Sequence, residues 1–238
     1  MDLTPKPLRT LQQADLTNEV VHFTGRQGMA NDRIDPEIQK LNSAARLARI
    51  LETRTMNAYQ VFHGYFGDPV VCFTEATEAG LAKLVDVNRY HAWGLGFTKS
   101  WVFQQGGGPA LYIRGDMWDE FQVNDAISKR LKAFGTKYWP GVVDDTPAPQ
   151  SEGQPKKLSV YVSSTLTKPN EWAHEREWRI PRIEEAPTVS FDYADVAALV
   201  APSREGLDYL KGLASGGALN HVREVILVSS IVKWKANA

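Results

Sequence analysis

The chain has 238 residues, 43% hydrophobic and 23% charged, which is enough apolar material for one substantial core and unlike a disordered or fibrous chain. With 27 basic against 28 acidic residues the formal charge is -1, so overall charge argues for neither nucleic acid nor a membrane surface. A single cysteine, Cys72, excludes an intramolecular disulfide and a cysteine-built zinc site, and no apolar run approaches the roughly 20 residues that span a bilayer. The opening Met-Asp-Leu-Thr-Pro-Lys-Pro lacks the order of a signal peptide, so a cytoplasmic protein is expected.

Residues 1–18 are polar, with two prolines, and read as a tail. Val20 to Thr24 is a short β-branched and aromatic run that predicts a strand, followed by a Gly-, Asn- and Asp-rich loop from Gly25 to Asp35. Leu41, Ala44, Ala45, Leu47, Ala48 and Leu51 recur at helical spacing. Asp68-Pro69 precedes a second apolar strand, Val70 to Thr74, and Thr77 or its acidic neighbours can cap a helix over Glu78 to Val85. Residues 90–103 and 109–114 predict two strands of a hairpin about Gly106-Gly107-Gly108-Pro109, with Trp93, Phe97 and Trp101 on one face.

Asp116 to Phe134 reads as helix, and residues 140–157, with four prolines, as an exposed loop. Strands are expected at Leu158 to Ser163, Trp178 to Pro181 and Val196 to Val200, and a buried strand at Val225 to Val228, with a helix from Arg204 to Leu213. Strands and helices mix without a βαβ rhythm, and no linker separates two cores. The expectation is one α+β domain over residues 19–238.

Chemistry concentrates first in Glu175-Arg176-Glu177. An extended chain there puts Glu175 and Glu177 on one face, where like charges repel unless a cation or substrate lies between them. A glutamate so placed can hold a ribose hydroxyl and stabilise an oxocarbenium-like state. By residue type alone a solvated strand edge, helped by Arg176, Arg179 and Arg182, is the plainer reading. His22 reads first as an interior histidine, with Thr24 on its face. Thr74, at the end of the second strand, reads first as a helix cap. Tyr90, Trp93, Trp101, Tyr112 and Trp118 could stack on a nicotinamide or a base, although hairpin aromatics are mostly core. No phosphate-binding loop, His-Glu-x-x-His or Gly-x-Ser-x-Gly motif is present, and the histidines lack metal-ligand spacing, so no metal site is expected.

In order, these pieces resemble the three-motif layout of ADP-ribosyltransferases. The motifs are His22 in Val-Val-His-Phe-Thr, Thr74 in Val-Cys-Phe-Thr-Glu, and Glu177 in Glu-Arg-Glu. Leu47-Ala48-Arg49-Ile50-Leu51 resembles the leucine-rich helix that follows the first motif in DarT-type enzymes. At a finer level, Val71 to Glu75, Tyr90 to Trp101 and Glu175 to Arg179 resemble bacterial AbiGi-like abortive phage resistance proteins, over roughly residues 20–182. The lone Thr74 followed by Glu75 departs from the Ser-Thr-Ser run of the broader family.

The resemblance implies a split mixed or antiparallel sheet with peripheral helices, and NAD as substrate in the cleft between its halves. His22 would grip the adenosine-side ribose, the backbone groups of Thr24 would meet the nicotinamide amide, and Phe23, Phe73, Thr74, Tyr90 and Tyr112 would line the NAD site. Glu177 would act on the nicotinamide ribose and Glu175 on the acceptor, so the implied catalytic set is Glu177, Glu175, His22 and Thr74. The acceptor would be a macromolecule, nucleic acid or protein, in a toxin–antitoxin or antiviral abortive-infection setting with a cognate antitoxin as partner and no membrane. Lys129, Arg130, Lys132 and Lys137 could form a local basic face for nucleic acid, or a solvated helix face. Two alternatives stand beside this: a non-catalytic antitoxin or immunity module on the same fold, and a defence nuclease with Asp116, Asp119 and Glu120 as a weak metal set.

Overall fold

In the computed structural model, residues 17–25, 35–59, 68–75, 77–86, 90–138, 176–183, 185–214, 218–222 and 224–229 are described. The expected loop 140–157, the strand at Leu158 to Ser163 and the tail up to residue 16 lie outside them.

Strand β1 (Glu19–Phe23) is followed by two helices, α1 (Pro36–Gln39) and α2 (Ser43–Thr53), then β2 (Thr55–Asn57), β3 (Val70–Thr74) and α3 (Glu78–Asp86). The Asn42 side chain accepts from the Ala45 N–H and starts α2, and Arg54 ends it in the left-handed region at φ 52°. Next come β4 (Gly94–Thr98), α4 (Lys99–Gln104), β5 (Gly108–Pro109), β6 (Leu111–Arg114), α5 (Gly115–Glu120), α6 (Ala126–Phe134) and β7 (Gly135–Tyr138). The remainder supplies β8 (Glu177–Pro181), β9 (Thr188–Ser190), β10 (Val196–Ala201), α7 (Arg204–Leu213) and β11 (Glu224–Leu227).

Among the described residues, seven strands form one sheet in the order β11-β10-β4-β1-β3-β8-β5. Every neighbouring pair is antiparallel except β10 with β11. The fold is therefore mixed α and β around a mostly antiparallel sheet, as the irregular order of sequence elements predicts. β2 with β9 and β6 with β7 make two small ribbons beside it. Inside the main sheet the β1–β3 seam is thin: its register rests on Val21 opposite Thr74, whereas β1–β4 and β3–β8 each carry five opposed pairs.

Alternation along the strands separates two faces. One presents Val20, Val71, Phe73, Leu95, Phe97, Ile180 and Leu199 to the main core, which α2 closes with Leu47, Ala48 and Leu51. Phe97 sits among three rings: stacked on Trp101 at 4.4 Å, edge-on to Phe73 at 6.0 Å and edge-on to Phe191 at 5.3 Å. The other face carries Val21 and Val200, packed with Leu81 of α3, Ala92 and Val228.

Three expectations fail. The last strand is not buried, because β11 lies at the edge of the sheet and leaves Val225 40% exposed. The hairpin over residues 90–114 does not form, because the Thr98 hydroxyl accepts from the Trp101 N–H and caps α4, turning Trp101 from a strand position into a helical one. Beyond Gly106, whose φ of 79° suits glycine, the second half of that segment divides, with β5 joining β8 and β6 joining β7. The long helix over Asp116 to Phe134 is likewise two helices, because Asp125 and Ser128 form a capping box that restarts the chain at α6.

Phe97→Ala should lower stability by about 3–5 kcal/mol, since it leaves a cavity among three rings. Chemical denaturation that shows a loss below about 1 kcal/mol would contradict the central place given to this ring.

Candidate functional site

The third motif reaches the sheet as β8, whose register opposes Glu177 to Thr74, Trp178 to Phe73 and Arg179 to Cys72. Glu177 and Arg179 thus share a face with Thr74 and Cys72, while Trp178 and Ile180 join the core face. Arg179 is 3% exposed and donates from Nε to Glu177 Oε1 at 3.1 Å and from Nη2 to Oε2 at 2.8 Å. Its Nη1 donates to the carbonyls of Ala133 and Gly135 at the end of α6. The Glu177 carboxylate, 16% exposed, is therefore held flat against a fork of two donors. Thr74 is buried directly across from it.

A second carboxylate, absent from the sequence-derived set, lies on the opposite face. Glu75 is 6% exposed and accepts from the Trp178 indole N–H at 2.9 Å through Oε2. The Lys99 ammonium stands 2.7 Å from its Oε1, and the Arg176 guanidinium 3.9 Å away. Lys99 also lies over the Trp178 ring, 5.5 Å from its centroid. The signal available in the sequence was a charged residue at the end of an apolar strand, Glu75, with a lone cation, Lys99, closing another. What neither residue type discloses is that both strand ends meet at Trp178.

His22 faces the core side. Its ring packs against Phe73 at 5.7 Å, and its Nδ1 donates to the Cys72 carbonyl at 2.9 Å across the β1–β3 seam. That bond places the neutral ring's proton on Nδ1 and leaves Nε2 as the acceptor. Thr74 and Glu177 project from the other face, so the three strands are brought together while the three side chains are divided between two sides. Thr24, expected to meet the nicotinamide amide, spends its N–H on the Trp93 carbonyl at 2.9 Å and its hydroxyl on the carbonyls of Ser43 and Trp93.

Phe23 and Tyr90 stack on each other at 4.7 Å and 13°, on the Thr74 side of β1. Phe73 is a core ring. Tyr112 lies on β6, two residues beyond Ala110, whose N–H donates to the Glu177 carbonyl at 2.7 Å. Glu175 lies outside the described residues. Arg176, the residue before β8, has a left-handed φ of 44°.

Within the expected basic face, Lys132 is buried and donates to the Phe121 carbonyl with its ammonium 4.9 Å from the Trp118 ring, while the partly exposed Arg130 pairs with the buried Asp68 at 2.7 Å, with Lys129 3.5 Å from the same carboxylate. Asp116, Asp119 and Glu120 all fall on α5, and among the described residues no three metal-ligating side chains gather at one point. A cleft of about 350 Å³ opens past the end of β1, bounded by Gly25, Asn42, Ser43, His91, Trp93 and Tyr209. Comparison with known proteins finds no matching family model, curated protein or solved structure.

Burial pushes the His22 pKa below its ordinary 6.5, an effect only partly offset by the bond to Cys72. Between the two values the unfolded chain binds more protons than the folded one, so stability falls as pH falls through that window. The wild-type chain should therefore lose thermal stability from about pH 6.5 downward. His22→Asn, which keeps a donor for the carbonyl and does not titrate, should flatten the slope. Melting curves of equal pH dependence would count against this assignment.

Proposed function

We propose that the chain is an NAD-dependent mono-ADP-ribosyltransferase of a bacterial toxin or phage-defence system, acting in the cytoplasm on a nucleic-acid or protein acceptor. The observation that carries the reading is the pair at the ends of β3 and β8. Glu177, oriented by a two-donor guanidinium fork, stands opposite the hydroxyl residue Thr74, with β1 as the next strand. The strands of the three motifs are thus neighbours in one sheet, β1 beside β3 and β3 beside β8, which supports the reading.

In this reading Glu177 accepts a hydrogen bond from a hydroxyl of the nicotinamide ribose, and its charge favours the oxocarbenium-like state. The bond from the ribose C1′ to the nicotinamide nitrogen breaks, and its electron pair leaves with neutral nicotinamide. The acceptor's oxygen or nitrogen then bonds to C1′, and its proton passes to Glu175 acting as general base. Phe23 and Tyr90 supply an aromatic wall on the same side of the sheet as Glu177.

One observation favours a second reading, a binding module of the antitoxin or immunity kind without transfer chemistry. His22, the ribose-gripping residue of the first motif, packs on the core face and commits its Nδ1 to the Cys72 carbonyl.

The purified chain should release nicotinamide from labelled NAD in the presence of a bacterial lysate. Label should then appear in the nuclease-sensitive or the protease-sensitive fraction. Glu177→Gln keeps the size and removes the charge, and should lower turnover by about 10²–10³-fold with near-UV circular dichroism unchanged. Equal activity of the two proteins would remove Glu177 from the chemistry. A folded wild-type chain without turnover would leave the binding module.

A further inference from the structure

We infer that Arg179 is the positioning residue for Glu177, linking that carboxylate to the C-terminal end of α6; the inference rests on the NAD reading above. Arg179 is buried, and two glycines let the chain pack closely around its strand and its helix-end partner. Gly107 lets the neighbouring chain approach so closely that a Cβ there would lie 2.8 Å from the Arg179 carbonyl oxygen. Gly135, whose carbonyl Arg179 takes, has no room for a Cβ because the Trp118 ring fills that space.

The guanidinium is planar, so two bonds from Nη1 to Ala133 and Gly135 fix the direction of the opposite edge. That edge, Nε and Nη2, is the one that meets both oxygens of Glu177. The carboxylate plane is thus set by a helix end rather than by Glu177's own rotamer. The carbonyls of the last turn of α6 lack partners within the helix and favour a cation, so the anchor is electrostatically matched at both edges. A lysine could supply charge at this point but not a rigid fork to both partners.

Arg179→Lys should lower kcat for NAD turnover by about tenfold or more with KM changed less than threefold, because the carboxylate keeps a cation and loses its alignment. Combining it with Glu177→Gln should add no further loss to Glu177→Gln alone, since Arg179 acts through that carboxylate. Arg179→Ala should fall further, and added guanidinium at concentrations that leave the fold intact should restore part of the rate. Wild-type turnover with an unchanged kcat in Arg179→Lys would overturn the inference and spare the NAD reading. Full additivity in the double variant would do the same. Loss of near-UV circular dichroism in both Arg179 variants would reduce the residue to a fold element and also overturn it. A wild-type chain with no NAD turnover would instead sink the underlying reading, and the inference with it.

Discussion

The register between β3 and β8 governs where every candidate group ends up. Strand side chains alternate, so committing Val71, Phe73, Trp178 and Ile180 to the main core commits Cys72, Thr74, Glu177 and Arg179 to the other face. The same rule, carried through Val21 opposite Thr74, turns His22 toward Phe73 and away from Glu177. A slip of one residue by β8 would turn Glu177 and Arg179 into the apolar core and Trp178 and Ile180 out of it. The packing therefore holds the register, and the register orients the chemistry.

Electrostatics follow the same division. Two carboxylates close to one strand end would repel if they shared a face. Here Glu75 and Glu177 lie on opposite faces, and each has its own cations. Taking these charges out of water costs several kcal/mol per ion unless partners satisfy them, and the partners are distinct in kind. Glu75 has an ammonium on a long side chain and an indole N–H from a ring packed against the core. Glu177 has a buried fork whose far edge is fixed to a helix end, so its geometry depends on α6 and on the β6–β7 ribbon that follows.

Several elements are legible from residue types because their signals are local. Val70 to Thr74 is a continuous apolar run, and Arg204 to Leu213 has one apolar stripe with Ser203 as cap; both appear as expected. Thr98 was legible in principle as a cap, yet it lies inside a run of aromatics that also fits a strand, and the hydroxyl-to-Trp101 bond decides for helix. The break between α5 and α6 rests on Asp125 and Ser128, a three-residue spacing masked by the helical periodicity on either side. The short β2–β9 ribbon has little propensity signal, since its two strands are distant in sequence.

By itself, the sequence determined the inventory: the apolar strands, the absence of a cysteine framework, and the carboxylates and hydroxyl in a given order. Those follow from side-chain chemistry and local spacing, which need no fold to operate. Only the tertiary structure decided which of them face one another. His22 and Glu177 share a sheet and not a side, Glu75 meets Lys99 across strand ends, and Arg179 reaches α6 from a position 44 residues further along the chain than Gly135. Facing is a property of register and packing between distant segments, and a single strand's pattern carries no information about its partner's phase.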